Sequence, residues 1–221
     1  MTPGRFAAAI FDMDGTLVDT EPIHRRAWMS VLPELGVTIG EAEYAATFSG
    51  RPGRKIARLR LHASEAEAPV VVDRVMARFW QIAADGLRPM PGVVAFLDSL
   101  GDLPLAVATS NRRVDALRTL SAIGLLDRFR AVVTVDDVTR GKPHPEPFLC
   151  AAAELGVRSA DCVAFEDSAN GLLSARAAGM FCVGIASSTT ALAAADIVVA
   201  GFDDPSLTTL LPRVRDPEPS P

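Results

Sequence analysis

The 221-residue chain is poor in cysteine: Cys150, Cys162 and Cys182 are all it has. Three thiols without CxxC spacing speak against both a disulfide framework and a zinc site, and read as small buried thiols of a reducing compartment. Basic charge is also scarce. The 22 Lys and Arg stand against 27 Asp and Glu, a formal net charge of -5 at pH 7. Such a balance offers no general attraction to nucleic acid or to an anionic membrane. No stretch approaches the roughly 20 apolar residues a membrane span needs, and the opening "MTPGRFAAAIF" has too short an apolar run for a signal peptide. A cytoplasmic protein is expected, without nucleic-acid or membrane partners. Internal repeats are absent too.

What is present is apolar and regularly patterned. Hydrophobic residues make up 49% of the chain, ample for a sizeable core. After "AAAIF", short apolar runs recur at residues 105–110 ("LAVATS"), 131–135 ("AVVTV"), 162–167 ("CVAFED"), 181–186 ("FCVGIA") and 195–200 ("ADIVVA"). Between them lie "GVVAFLDSLG", "VDALRTLSAIGL", "EPFLCAAAELG" and "ANGLLSARAAGM", with apolar residues three and four apart and a glycine closing each. Strands that read as unbroken apolar runs are those of a parallel sheet covered on both faces. The expected class is α/β, a doubly wound, Rossmann-like parallel sheet.

Residues 18–89 break this rhythm. "EPIHRRAWMSVLPELG", "GEAEYAATFSG", "GRKIARLRLHA" and "APVVVDRVMARFWQIAADG" predict four helices, and "PVVV" runs straight into a helical pattern although it could be taken for a strand. Re-entry comes at "LRPMPG", where two prolines and a glycine mark a turn. The expected organisation is a core of residues 1–17 and 90–221 with a helical cap, 18–89, inserted into it. The tail "RDPEPSP" has the composition of a frayed end.

In an open parallel sheet, ligands bind beyond the carboxyl ends of the strands. Four runs deliver polar residues there: Asp12 and Asp14 after the first strand, Thr109, Ser110 and Asn111 after "LAVA", Lys142 after "AVVTV", and Glu166 and Asp167 after "CVAF". Carboxylates at close range raise one another's pKa, so such a set is costly without a cation. Magnesium (Mg2+), which takes oxygen ligands and shares them with phosphate oxygens, resolves the conflict, and Lys142 supplies the further positive charge a phosphate needs. In a strand the first and third residues lie on one side, so Asp12 and Asp14 share a face before Gly15 lets the chain turn. A calcium loop of the EF-hand type would need its glycine at position six and a glutamate at twelve, a spacing "DMDGT" lacks.

These four motifs, in this order, resemble those of the haloacid dehalogenase superfamily: "DMDGT", "LAVATS", "GKPHPEPF" and "FEDSANG". "DTEPIHRRAW" together with "GKPHPEPF" is similar to its beta-phosphoglucomutase-like branch, which includes small sugar-phosphate phosphatases. The resemblance implies that Asp12 is the nucleophile, forming an aspartyl phosphate, and Asp14 the general acid and base. It further implies that Asp12, the Asp14 carbonyl and Asp167 hold magnesium with Glu166 nearby, and that Thr109, Ser110, Asn111 and Lys142 attend the phosphoryl group. In the cap it points to His24 as a residue steadying Asp14, and to Gly50, Arg51 and Arg54 around the substrate's leaving group. The bland reading of His24 is a satisfied histidine, of Trp28 cap packing, and of Arg51, Arg54 and Lys55 a solvated face. The mutase's cap-loop arginine falls on Gly53, and its Lys-Asn pair after the second motif falls on Arg112 and Arg113, departures that weigh against mutase activity. The expected activity is a magnesium-dependent phosphatase, a monomer acting on a small phosphorylated metabolite such as a sugar or polyol phosphate. The alternatives are a phosphosugar mutase and a non-catalytic phosphometabolite-binding protein.

Overall fold

In the computed structural model of the protein, the described residues are 6–48, 53–84, 86–186 and 192–210. The expected frayed tail lies outside them, as do Gly50 and Arg51. The first apolar run forms β1 (Ala8–Phe11), which is wholly buried. Every element in the next stretch is helical: α1 (Glu21–Val31), α2 (Glu41–Thr47), α3 (Gly53–Arg60) and α4 (Glu67–Ala83). There follow α5 (Val93–Ser99), β2 (Leu105–Ala108), α6 (Arg113–Ala122), β3 (Ala131–Val133), α7 (Glu146–Glu154), β4 (Cys162–Glu166), α8 (Ala169–Ala177), β5 (Phe181–Ile185), β6 (Ile197–Val199) and α9 (Ser206–Leu210). No described helix is long and apolar enough to cross a membrane.

By contacts the chain divides into two compact units, Met1–Val18 with Arg88–Pro221, and Asp19–Leu87. In the second, "PVVV" belongs to the 17-residue α4. Valine is only a mediocre helix former, but Ala68, Val75, Phe79 and Ala83 recur on one face and are buried there, and that packing outweighs local preference. Their partners include Trp28, Tyr44 and Phe48, with the Trp28 and Phe48 rings edge to face at 5.4 Å.

The first unit carries a six-stranded sheet, all parallel, in the order β3-β2-β1-β4-β5-β6. Strand alternation sorts β1: Ala8 and Ile10 join a cluster with Phe148 of α7 and Leu172 of α8. On the other face Phe11 stacks on its register partner Phe165 at 4.6 Å, with Phe96, Phe129 and Phe202 closing around the Phe11 ring. Burying each such ring contributes roughly 1.5–3 kcal/mol. Strands β2 to β6 stop one or two residues short of the ends of the runs read from sequence, since the last positions of each run already leave the sheet for a loop or short turn. Helices α5, α6, α7 and α8 are followed by Gly101, Gly124, Gly156 and Gly179, all in left-handed backbone. All three cysteines are free, Cys162 and Cys182 buried and Cys150 partly so.

The topology matters for function because β1 lies between β2 and β4. Phe11 pairs with both Val107 and Phe165, so the residues leaving these three strands emerge side by side. Adjacent strands are about 4.8 Å apart, a spacing that lets side chains from neighbouring exits bind one ion or one phosphate.

Candidate active site

Asp12 continues the ladder past β1, its N–H donating to Phe165 O at 2.9 Å. Met13 is fully buried, which leaves Asp12 and Asp14 to the opposite side of the chain. The backbone then closes a turn, with the Gly15 N–H donating to Val18 O and the Leu17 N–H to Met13 O, both at 2.8 Å. Gly15 has φ +79, and a β-carbon there would overlap the Asp167 carboxylate. Glycine is needed at 15 both for the turn and for the approach of Asp167. Thr16, fully buried, offers its hydroxyl to Asp167 Oδ1 at 3.4 Å.

From β2, Thr109 donates its N–H to Val133 O at 2.9 Å and is buried, whereas Ser110 is exposed. The Asn111 N–H donates to Thr109 Oγ1 at 3.2 Å, and its side-chain Nδ2 donates to Asp14 Oδ2 at 2.7 Å. Beyond β3, the Glu146 carboxylate accepts the Thr139 N–H at 2.7 Å and the Arg140 N–H at 3.2 Å, folding the loop that carries Lys142. The Lys142 side chain is only 5% exposed; its Nζ donates to Asp12 Oδ1 at 2.5 Å and to Glu166 Oε1 at 2.7 Å.

At the end of β4, Glu166 is fully buried and its other oxygen accepts both the N–H and the hydroxyl of Ser168, each at 2.8 Å. Ser168 in turn caps α8, its Oγ accepting the Gly171 N–H at 3.0 Å. Gly171 lies against the Glu166 carboxylate so closely that a β-carbon would overlap it. Glu166, expected near the metal, gives one oxygen to Lys142 and the other to Ser168 at the start of α8, and it sits beside Asp12 and Asp167.

The electrostatics follow from burial. Desolvation drives the Asp12 pKa well above the ordinary carboxylate range; Lys142 opposes this, and Glu166, Asp167 and Asp14 add to it. Asp167 is pushed up to about 7 by burial, then by Glu166 and Asp14. Burial alone would lower Lys142, but the Asp12 and Glu166 carboxylates overcome it and hold the ammonium above its usual range. One lysine does not balance the local negative charge. Asp12, Glu166 and Asp167 each place an oxygen within 4.8 Å of the others, an all-oxygen group that fits a hard divalent ion such as magnesium.

The remaining expected residues have these surroundings within their own units. His24 rests against the Phe79 ring within the helical unit, centroids 4.5 Å apart, while Arg54 and Lys55 are exposed on α3. Trp28 is buried, as packing would have it. Asp136 accepts the Arg113 N–H at 2.8 Å, and Asp137 accepts the Arg113 side chain at 2.6 Å. Arg112 pairs with buried Asp115 at 2.9 Å. Sequence reasoning missed the Asn111–Asp14 link, the service of Glu166 to Lys142, and Gly171. Of these only Gly171 left a signal, as the small residue three after a capping serine.

This constellation agrees with the comparisons. A family model described as haloacid dehalogenase-like hydrolase matches residues 9–185. The chain is 36% identical over 183 residues to the fructose-1-phosphate phosphatase YqaB of Escherichia coli (strain K12), covering 82% of this chain and 97% of that protein. It is 29% identical over 219 residues to the beta-phosphoglucomutase of Bacillus subtilis (strain 168), with 92% and 93% covered. The crystal structure of CbbY from Rhodobacter sphaeroides in complex with phosphate matches with a TM-score of 0.79 at 28% identity, over 89% of this chain and 95% of that one. The chain belongs to the haloacid dehalogenase-like hydrolase family.

Proposed function

We infer that this chain, a phosphoric monoester hydrolase of the haloacid dehalogenase type, releases phosphate from a small phosphorylated sugar or polyol through an aspartyl phosphate on Asp12. The observation that carries the reading is the buried contact of Lys142 with both Asp12 and Glu166, beside Asp167. Clusters of perturbed acids with one countercharge are characteristic of functional sites, and a nucleophile facing a phosphate needs this kind of countercharge.

An Asp12 oxygen attacks phosphorus while the bond to the leaving oxygen breaks; that oxygen keeps the electron pair and takes a proton from Asp14. In the second half, Asp14 removes a proton from water, the resulting hydroxide attacks phosphorus, and Asp12 is released with free phosphate. Lys142 offsets charge on Asp12 and on the phosphoryl oxygens, and Thr109 and Ser110 donate to those oxygens. Magnesium would be held by Asp12, Asp167 and the Asp14 carbonyl; when bound it neutralises the carboxylates and draws charge from the phosphoryl group. Substrate choice we assign to the helical unit, through His24, Arg54 and the neighbouring Gly50 and Arg51. The enzyme on this reading is a cytoplasmic monomer.

The choice of a sugar or polyol rests on the fructose-1-phosphate phosphatase relative. A mutase reading draws support from the beta-phosphoglucomutase relative. Against it, Arg112 and Arg113, which stand where the mutase has its Lys-Asn pair, are each paired with carboxylates. Phosphate release across a panel of sugar, polyol and glycolate phosphates, with magnesium and with a chelator, tests the reading. Magnesium-dependent release from a sugar or polyol phosphate is expected. Conversion of glucose 1-phosphate to glucose 6-phosphate with little free phosphate would overturn it in favour of the mutase.

A further inference from the structure

Asn111 has its backbone held at two points, and a third lies two residues on. Its backbone N–H donates to Thr109 Oγ1 at 3.2 Å, its carbonyl accepts the Val135 N–H at 3.1 Å, and the neighbouring Arg113 N–H donates to Asp136 Oδ2 at 2.8 Å. Val135 itself opens a short turn locked by a capping box, in which the Thr134 N–H and hydroxyl both donate to Asp137 Oδ2. The amide therefore rides on a fixed piece of backbone at the carboxyl end of β2. From there it spans to the neighbouring strand exit and meets Asp14 Oδ2 at 2.7 Å, a link between residues 97 apart in sequence.

We propose that Asn111 is a positioning residue for proton transfer: its Nδ2 ties down Oδ2 of Asp14 and so turns the other carboxyl oxygen, Oδ1, toward the oxygen that leaves and toward the attacking water. This rests on the acid and base role given to Asp14 above. A carboxyl group on a turn rotates about its own axis, and a general acid is effective only when the proton it carries lies within hydrogen-bond reach of the leaving oxygen. An amide NH2 can only donate, so it binds one carboxyl oxygen without competing as an acceptor for the transferred proton. Asn111 thus acts through Asp14 and not on the substrate, which separates this role from the phosphoryl contact that its motif alone suggests.

The two roles differ in what they do to leaving groups of different basicity. The test follows single-turnover phosphoryl transfer to the enzyme from p-nitrophenyl phosphate, phenyl phosphate and an alkyl phosphate, with magnesium. The proteins are wild type, Asn111→Ala, Asn111→Asp and Asp14→Asn. Asn111→Asp is included because it keeps size and shape while exchanging a donor for an acceptor that repels Asp14. Well-placed proton donors contribute on the order of 10²–10⁴-fold, and a partial loss of placement should cost about tenfold or more with the alkyl phosphate. With p-nitrophenyl phosphate, whose leaving group needs little help, the same step should stay within about threefold, and KM should hardly change. A loss equal across all three leaving groups, or a raised KM with the leaving-group dependence of wild type, overturns the proposal. Asp14→Asn reports separately: if that variant keeps the wild-type rate with the alkyl phosphate, the acid role of Asp14 itself fails, whatever the Asn111 variants do.

Discussion

Lys142 Nζ lies 2.5 Å from Asp12 Oδ1, on a side chain almost wholly removed from water. The pairing makes the nucleophile's burial tolerable, and it makes stability and activity depend on the same residue. Removing one partner of a buried ion pair costs about 3–5 kcal/mol, because the other charge is left unpaired. Lys142→Ala should therefore unfold in urea at a lower midpoint by an amount of that order at neutral pH, besides losing turnover. Burial already drives the Asp12 pKa upward, so without the lysine Asp12 takes up a proton more readily and part of the deficit should be recovered in mildly acidic solution. An unchanged midpoint would mean that the contact does not carry the fold.

Gly171 and Glu166 pack in direct contact beneath α8. Gly171→Ala gains helix propensity, worth about 1 kcal/mol in an open helix, yet the methyl group has to displace the carboxylate that holds Lys142. We expect a net loss of about 1–3 kcal/mol from overpacking and a fall in kcat. Thermal unfolding and steady-state rates on p-nitrophenyl phosphate check both. A stabilised, fully active variant would contradict the packing described.

The metal-free protein should respond to pH through Asp167, pushed up to about 7 by burial and by Glu166 and Asp14. A carboxylate ligates only when ionised, so magnesium affinity should fall as pH drops through about 7, with protons released on binding near that pH. For stability the sign is the reverse of an ordinary paired carboxylate. The folded value lies above the unfolded 3.8, so ionisation costs stability, and by this group alone the metal-free fold firms as pH falls from about 8 toward about 5. Calorimetric titration of magnesium at about pH 6 and about pH 8, in buffers of different ionisation enthalpy, reads the effect. Equal affinity and no proton release at both would count against it.

Much of this was legible in the sequence for a physical reason. A parallel strand buried on both faces has to be apolar almost throughout, so "AAIF", "LAVA" and "CVAF" announce themselves, and the polar residues that follow mark the sheet edge. Helix α4 was equally open to reading, since its three- and four-residue spacing persists through "PVVV". Strand order was harder. The placement of β2 and β4 on either side of β1 is a tertiary fact, and every contact that depends on it lay beyond local pattern. Asn111 reaches Asp14 across 97 residues and Lys142 reaches Asp12 across 130. Glu166 illustrates the limit: its motif points only to an acidic cluster, and side-chain direction is needed to show its oxygens engaged by Lys142 and Ser168. Arg113 offers the same lesson, because Asp136 and Asp137 that engage it are distant in sequence, whereas the Arg112–Asp115 pair is a local one at the start of α6.

The proposed covalent route stands or falls on Asp12. Phosphate release by Asp12→Asn, compared with wild type in the presence of magnesium on p-nitrophenyl phosphate and on whichever sugar phosphate serves best, is the measurement to make. With the nucleophile removed and the fold retained by circular dichroism, turnover should drop by about a thousandfold or more, as expected when a residue acting in the covalent step is lost. Near-normal release by that variant would contradict the aspartyl-phosphate route.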